Sequence, residues 1–99
     1  MTIQKTKQEN TLQIALEGRL DTVTAPELEK EVRESLGGVT ELVFDLEKLE
    51  YVSSAGLRVL LAAQKIMNAQ GKMKLCNVSE AIMEIFDVTG FSDILDIEQ

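Results

Sequence analysis

Hydrophobic and polar residues alternate near the start of the chain. Over residues 11–17 every second position is a large apolar residue, and these positions are Leu12, Ile14 and Leu16. A period of two predicts a β-strand with one buried face. Residues 3–7 form a weaker strand pattern, and Glu9-Asn10 supplies a turn between the two segments. The pattern therefore predicts a β-hairpin at the start of the fold.

The hydrophobic spacing becomes helical after residue 24. The segment Thr24-Ala25-Pro26-Glu27 predicts a helix start, because Thr followed three residues later by Glu is the capping-box pattern and proline is favoured in the first turn. Gly37-Gly38 predicts the end of this helix, since glycine is common just beyond a helix C-terminus. The apolar positions that share one helical face are Ala25, Leu28, Val32 and Leu36.

Four further segments complete a mixed pattern of strands and helices, and one of them is a helix from about residue 54 to residue 69. Residues 41–46 are a short, mostly apolar run, which predicts a strand covered on both faces. Residues 72–78 predict another strand, and a last helix begins after Ser79 and ends at Gly90. Strands that alternate with helices favour parallel pairing. The order ββαβαβα therefore predicts one α/β domain over residues 1–99, whose mixed sheet has an antiparallel N-terminal hairpin, then parallel strands, with helices packed on it.

The chain is organised around residues 49–61, which leave a strand, turn at two serines and enter an apolar helix. Ser53 and Ser54 fall at the helix start, where a serine oxygen accepts a hydrogen bond from a free backbone N–H group. The helix dipole also favours an anion there, so a phosphate on either serine is locally tolerated. Gly56 allows the close approach of another backbone or of a partner. Two interpretations are open at this point: a simple helix cap, or a regulatory site.

The helix that follows, from about residue 54 to residue 69, carries an apolar stripe wider than one core face requires. Arg58 and Lys65 mark its polar side. Either the helix is buried nearly all round, or its rim near Val59 and Ala62 is a partner surface. Burial in the core is the default interpretation, since scattered exposed apolar residues are normal.

The composition excludes several classes of enzyme. The chain has no histidine and one cysteine, so an internal disulfide, an ordinary zinc site and a Ser-His-Asp triad are all absent. Glycine-rich nucleotide-binding patterns are also missing from the sequence. We therefore expect no metal and no cofactor. A site made only of carboxylates remains open, and Asp21 with Asp45 is the candidate acid–base pair.

The charge and hydropathy of the chain limit its partners. A net charge of −7 argues against direct binding to nucleic acid and to anionic membranes. The sequence contains no apolar run long enough to span a bilayer, and its first residues lack the hydrophobic segment of a signal peptide. We therefore expect a cytoplasmic protein without membrane insertion. At 44% hydrophobic residues the chain is able to form a real core.

Four segments, taken in order, resemble the STAS domain, and in particular the free-standing bacterial anti-sigma factor antagonists. The first is Leu16-Glu17-Gly18-Arg19-Leu20-Asp21, and the second runs from Val43 to Leu57 through Tyr51-Val52-Ser53-Ser54-Ala55-Gly56-Leu57. The others are Gly71-Lys72-Met73-Lys74-Leu75 and Phe86-Asp87-Val88-Thr89-Gly90-Phe91. The resemblance covers nearly the whole chain, and the four segments together are more specific than any one of them.

The resemblance implies a phosphorylation switch at the start of the second helix. In such proteins a serine there is phosphorylated by a partner kinase that is also the anti-sigma factor, and a PP2C-type phosphatase removes the phosphate. The family motif is often Asp-Ser-(Ser/Thr/Ala)-Gly-Leu, which places the phosphoacceptor at Ser54. The leading aspartate of the motif is Ser53 in this chain. Ser53 is therefore either a capping residue, an alternative acceptor, or a sign of divergence from such a kinase.

The resemblance also implies a binding surface around that serine on a protein that is monomeric when free. Asp21 and Asp45 are expected in loops that the family fold brings towards the serine. The alternative is a STAS interaction module of another signalling complex, or of a lipid or anion transporter, without phosphorylation. The residues expected on the partner-binding surface are Asp21, Ser53, Ala55, Gly56, Arg58, Val59 and Ala62.

Overall fold

A computed structural model describes residues 1–98 of the chain. These form a four-stranded sheet in the order β1-β2-β3-β4, in which β1 is antiparallel to β2 and the other neighbours are parallel. The expected mixed α/β fold, with its opening hairpin, is therefore confirmed. In chain order the elements are β1 (Thr2–Gln8), β2 (Thr11–Leu20), α1 (Ala25–Ser35), β3 (Glu41–Val52), α2 (Ser54–Gln70), β4 (Lys72–Cys76), α3 (Glu80–Thr89) and a 3-10 turn (Phe91–Asp93).

The core lies between one face of the sheet and the helices. Strand residues that are direct neighbours in the register, such as Ile14, Phe44 and Leu75, are fully buried on this face. They belong to one cluster with apolar residues from all three helices, including Leu28, Leu60 and Phe86. Side chains at every second position over residues 12–16 of β2 and 42–46 of β3 point to this cluster, because side chains alternate between the two faces of a strand.

The opposite face of the sheet is open, so the prediction that residues 41–46 are covered on both faces is wrong. On this face Gln13 and Glu17 of β2 are exposed, and so are the neighbouring side chains of β1. Val43 is apolar and points to the same open face, yet only 9% of its surface is accessible. Its direct neighbours in the register are Gln13 and Lys74, whose long side chains flank it.

Strands β2 and β3 extend further than the sequence indicated. We expected the second strand to end at residue 17 and the third at residue 46, but β2 continues to Leu20 and β3 to Val52. Irregular register occurs between β2 and β3 at two places, Ala15/Glu17 and Gly18/Arg19. Such bulges interrupt the two-residue period, and this hides the strand from a pattern-based prediction.

The last described residues protect one edge of the sheet. Leu75 of β4 donates its backbone N–H to the carbonyl of Asp96 at 2.9 Å and accepts from the N–H of Glu98 at 2.8 Å. This short parallel bridge covers part of the outer edge of β4. Within residues 1–98, no helix has the length and apolar character needed to cross a membrane.

Candidate functional site at the start of α2

The candidate site lies where β2 and β3 end side by side. Leu20 and Val52, the last residues of these parallel strands, are neighbours in the register. Each strand then turns into a helix, β2 through residues 21–24 into α1 and β3 through Ser53 into α2. The backbone N–H of Ser53 donates to the carbonyl of Leu20 at 2.9 Å, which ties the two turns together. The carboxyl ends of parallel strands are a common place for functional residues.

The two serines of the turn have different environments. Ser53 is half-buried and has extended backbone angles, φ −93° and ψ 176°, and its Oγ accepts the N–H of Gly56 at 3.4 Å as the N-cap of α2. Ser54 is the first residue of α2 and its side chain is exposed. The Ser54 hydroxyl makes no hydrogen bond to any of residues 1–98. The turn therefore uses one serine as the cap and leaves the other hydroxyl free.

Gly56 is buried beneath this turn. A Cβ atom at this position would lie 2.6 Å from Cγ and 2.9 Å from the carbonyl oxygen of Leu20. Both distances are shorter than a normal van der Waals contact, so only glycine fits without movement of β2. We expected Gly56 on the partner-binding surface, and the structure places it below that surface. The close approach that this glycine allows is between α2 and β2 of the same chain.

The loop that leads into α1 is held by Asp21. Its Oδ1 accepts the backbone N–H groups of Val23 at 3.0 Å and Thr24 at 3.1 Å. These hydrogen bonds hold the pKa of Asp21 below its ordinary value because they stabilise the charged carboxylate, and the bond from the Thr24 N–H has the largest effect.

The expected capping box at the start of α1 is wrong. Thr24 makes no side-chain cap, and its hydroxyl instead donates to the carbonyl of Arg19 at 2.8 Å.

Arg19 and Tyr51 form a pair beside this loop that the sequence analysis missed. The guanidinium of Arg19 lies 4.4 Å from the centre of the Tyr51 ring, within the range of a cation–π contact. The Nε of Arg19 is also 3.7 Å from Oδ2 of Asp21. Arg19 and Tyr51 are direct register neighbours only because of the irregularity after Gly18. A sequence pattern carries no signal for this pairing, since the bulge decides it.

A shallow groove between α1 and α2 extends from the site. It has a volume of about 260 Å³. Its α2 wall contains four of the residues expected on the partner-binding surface, of which Arg58 is exposed and Val59 is only 6% exposed. Val59 is therefore part of the core with one edge in the groove, which agrees with the default interpretation of this helix and corrects the place of Val59 on the partner-binding surface. The residues that line the groove are Thr22, Ala25, Pro26, Glu29, Ala55, Arg58, Val59 and Ala62.

Asp45 does not belong to this site. It lies within β3, where it pairs with Ala15 and Cys76, and not in a loop near the serines. Its Oδ1 accepts the N–H of Glu47 at 3.1 Å and the side-chain amide of Asn77 at 3.0 Å. Seven residues of strand separate it from the end of β3, a distance of roughly 20 Å. The expectation that Asp45 approaches the serine, and with it the acid–base pair of Asp21 and Asp45, is wrong.

The described part of the chain also offers no metal centre. Residues 1–98 contain no group of three or more side chains of the types that bind metal ions. What the site does offer is an exposed hydroxyl at a helix N-terminus, a neighbouring loop held by the carboxylate of Asp21 and a groove between two helices. This arrangement suits modification and binding by another protein better than it suits catalysis.

The chain belongs to the STAS domain family, whose model matches residues 2–99. Its curated relatives include BtrV of Bordetella bronchiseptica, named as a candidate anti-sigma factor antagonist, which is 34% identical over 98% of this chain and 85% of its own length. The anti-sigma-B factor antagonist of Bacillus subtilis is also 34% identical, over 92% of this chain and 84% of its own length.

A solved structure with the same fold is that of an anti-sigma factor antagonist from Mycobacterium paratuberculosis. It superposes with a TM-score of 0.87 and covers 97% of this chain and 83% of its own. The sequence identity is 23%, so this similarity establishes the architecture and not the role.

Proposed function

We propose that this chain is an anti-sigma factor antagonist. In this proposal the unphosphorylated protein binds an anti-sigma factor that is also a serine kinase, and the sigma factor is thereby released. Phosphorylation of Ser54 ends the binding, and a PP2C-type phosphatase restores it. The proposal rests on relatives of that name at 34% identity over most of both chains, and on the geometry of the two serines. The chain then acts as a regulatory binding protein and not as an enzyme.

The observation that carries the proposal is the free hydroxyl of Ser54. A kinase must reach the acceptor oxygen, and Ser54 is exposed whereas Ser53 is half-buried. The Ser53 oxygen is also engaged by the N–H of Gly56. Transfer of phosphate to Ser53 would break this cap, which typically contributes about 1 kcal/mol to helix stability. We therefore assign the acceptor role to Ser54 and the capping role to Ser53.

The position of Ser54 explains how a phosphate would change binding without unfolding the domain. The phosphate would add about −1.5 to −2 charges at a helix N-terminus, where the dipole favours negative charge. Arg58 is exposed one helical turn further on and forms no ion pair within residues 1–98. Residues four apart on a helix are neighbours, so Arg58 would pair with the phosphate. When a partner protein covers this surface, however, the phosphate would become a buried dianion, and its loss of hydration would weaken the complex.

The proposed partner-binding surface surrounds Ser54. Its exposed and half-buried members form the contact, while the buried Gly56 and Val59 set its shape from below. In this proposal the chain is a monomer when free and acts in the cytoplasm. The contact residues that we propose are Asp21, Ser53, Ala55, Arg58 and Ala62.

The decisive experiment is intact-mass analysis with fragment sequencing of the protein isolated from its own cells under two growth conditions. We expect a single phosphate, located on Ser54, whose occupancy changes with the condition. A phosphate on Ser53 would keep the switch and move its site. No phosphate in any condition would contradict the switch and leave a constitutive interaction module.

Two matched variants separate the roles of the serines. Ser54→Ala should abolish the phosphate and keep the protein in its binding form, because the Ser53 cap is untouched. Ser53→Ala should still be phosphorylated, although its helix start is weaker. Loss of the phosphate in Ser53→Ala alone, with the fold intact, would reverse the assignment.

A further inference from the structure

The outer face of α3 carries an apolar stripe that the fold covers only in part, since Ile85 packs partly against the core and Val88 does not. Ile82 and Phe86 anchor this helix in the core and are fully buried. Three other apolar residues follow at helical spacing on the outer side: Ala81 is exposed, Ile85 is half-buried and Val88 is 80% exposed. With Glu84 and Thr89 they line a surface groove of about 310 Å³. A solvent-facing helix position normally favours a polar residue, and valine is also a weak helix former.

The same helix carries negative charge in an unfavourable arrangement. Glu80 and Glu84 are four residues apart, where like charges repel each other. Asp87 lies in the last turn, where the helix dipole disfavours an anion. None of these three carboxylates forms an ion pair with any residue from 1 to 98. In the free protein no cation within residues 1–98 pairs with these carboxylates, and the helix dipole favours only Glu80, which lies in the first turn.

The acidic character extends over the whole last quarter of the chain. After Lys74 the sequence contains six acidic residues and no basic one. A second copy of this chain would bring the same charges together, and an anionic lipid surface would be repelled as well. A partner that covers the stripe must therefore supply positive charge around an apolar centre.

From this combination of an apolar groove and surrounding carboxylates, we propose that α3 docks a basic amphipathic helix of another protein. The apolar side of that helix would cover Ile85 and Val88, and its lysines or arginines would pair with Glu80, Glu84 and Asp87. An apolar stripe laid into a groove, with charges at the rim that set orientation and specificity, is a common mode of helix recognition. This second surface shares no residue with the groove at the start of α2, and α3 packs on β3 and the 3-10 turn whereas α2 packs on β4, α1 and β3.

The test uses the full chain labelled with ¹⁵N and a synthetic Leu/Lys peptide with helical amphipathic spacing. We expect amide shift changes concentrated on α3. Glu84→Lys and Val88→Ser should each weaken binding about fivefold or more. The matched controls are Glu34→Lys, an exposed glutamate on α1 without an ion pair, and Val23→Ser, an equally exposed valine at 85%. Both controls should stay within about twofold of the wild type.

Several outcomes would overturn the proposal. Equal weakening by Glu34→Lys would show unspecific attraction to an acidic protein. Equally tight binding of a peptide with the leucines scattered round the helix would show that the stripe is not used. Concentration-dependent self-association that Val88→Ser removes, measured by sedimentation, would make a second copy the occupant. Ser54→Glu should leave peptide binding unchanged, so this test is independent of the proposed switch.

Discussion

At the scale of single residues, the two adjacent serines show how one position in a turn differs from the next. Ser53 has extended backbone angles that direct its oxygen back to the N–H of Gly56, whereas Ser54 already belongs to the helix and points outwards. The sequence predicted a helix start at this pair and left both serines as acceptors. The different environments of the two serines follow from the φ and ψ angles of the turn, and these angles cannot be read from the residue types alone.

Asp21 makes part of the stability of the domain sensitive to acid. The folded state holds the pKa of Asp21 below its ordinary value of 3.8 through hydrogen bonds from Thr24 and Val23. Stability from this carboxylate is therefore fully present well above pH 3.8 and is lost as the pH falls through the lower pKa of the folded state. We expect Asp21→Asn to lower the urea midpoint at pH 7, and this difference from the wild type to shrink towards pH 3.

Glu34→Gln is the control for this titration, since Glu34 is exposed on α1 and makes no hydrogen bond with its side chain within residues 1–98. The urea midpoint of Glu34→Gln should stay close to that of the wild type at every pH. A constant difference between wild type and Asp21→Asn from pH 7 to pH 3 would show that the charge of Asp21 does not stabilise the loop.

At the scale of elements, the contact between α2 and β2 positions the site. The first turn of α2 packs directly on Leu20, and this close contact is possible because Gly56 has no side chain. The sequence indicated a need for close approach at Gly56 but not which group approaches. The approaching residue is the last of a strand whose length depends on two bulges, so it was not predictable from spacing.

Gly56→Ala should destabilise the domain by about 1–3 kcal/mol, because the new methyl group would overlap Leu20 and move α2 or β2. This cost exceeds the gain of up to about 1 kcal/mol from replacing glycine by alanine within a helix. The measurement is urea unfolding. Gly37→Ala is the control, since a Cβ atom there would meet nothing within 4 Å, and it should be nearly neutral. A Gly56→Ala protein as stable as the wild type would refute the packing argument.

At the scale of the whole molecule, one sheet face is used for folding and the exposed helix surfaces are left for binding. The helices cover one face of the sheet and form the core there. The start of α2 and the outer side of α3 lie outside this core and carry the proposed surfaces. A change of charge at either surface should therefore act on binding and leave the fold intact.

The phosphorylated protein should keep the fold of the unmodified one. We expect far-ultraviolet circular dichroism of protein phosphorylated at Ser54 to match the unmodified spectrum, with an equal or higher Tm, because the helix dipole and Arg58 both favour the phosphate. Arg58→Gln should reduce any gain in Tm and leave only the contribution of the helix dipole. Loss of helical signal on phosphorylation would contradict a switch based on a changed surface.

The order of elements, the hairpin, the parallel pairing, the helix start at Ser53-Ser54 and the family were all predictable from the sequence. The elements follow from local periodicity, capping and turn residues, which act within a few positions of the chain. In contrast, the continuation of β2 and β3 past their bulges, the position of Asp45 inside a strand and the contact of Gly56 with Leu20 became visible only in the folded structure. The folded structure also decided that Ser54 is the free hydroxyl and that one sheet face stays open. These features depend on register and on contacts between residues distant in sequence, for which a single sequence carries no local signal.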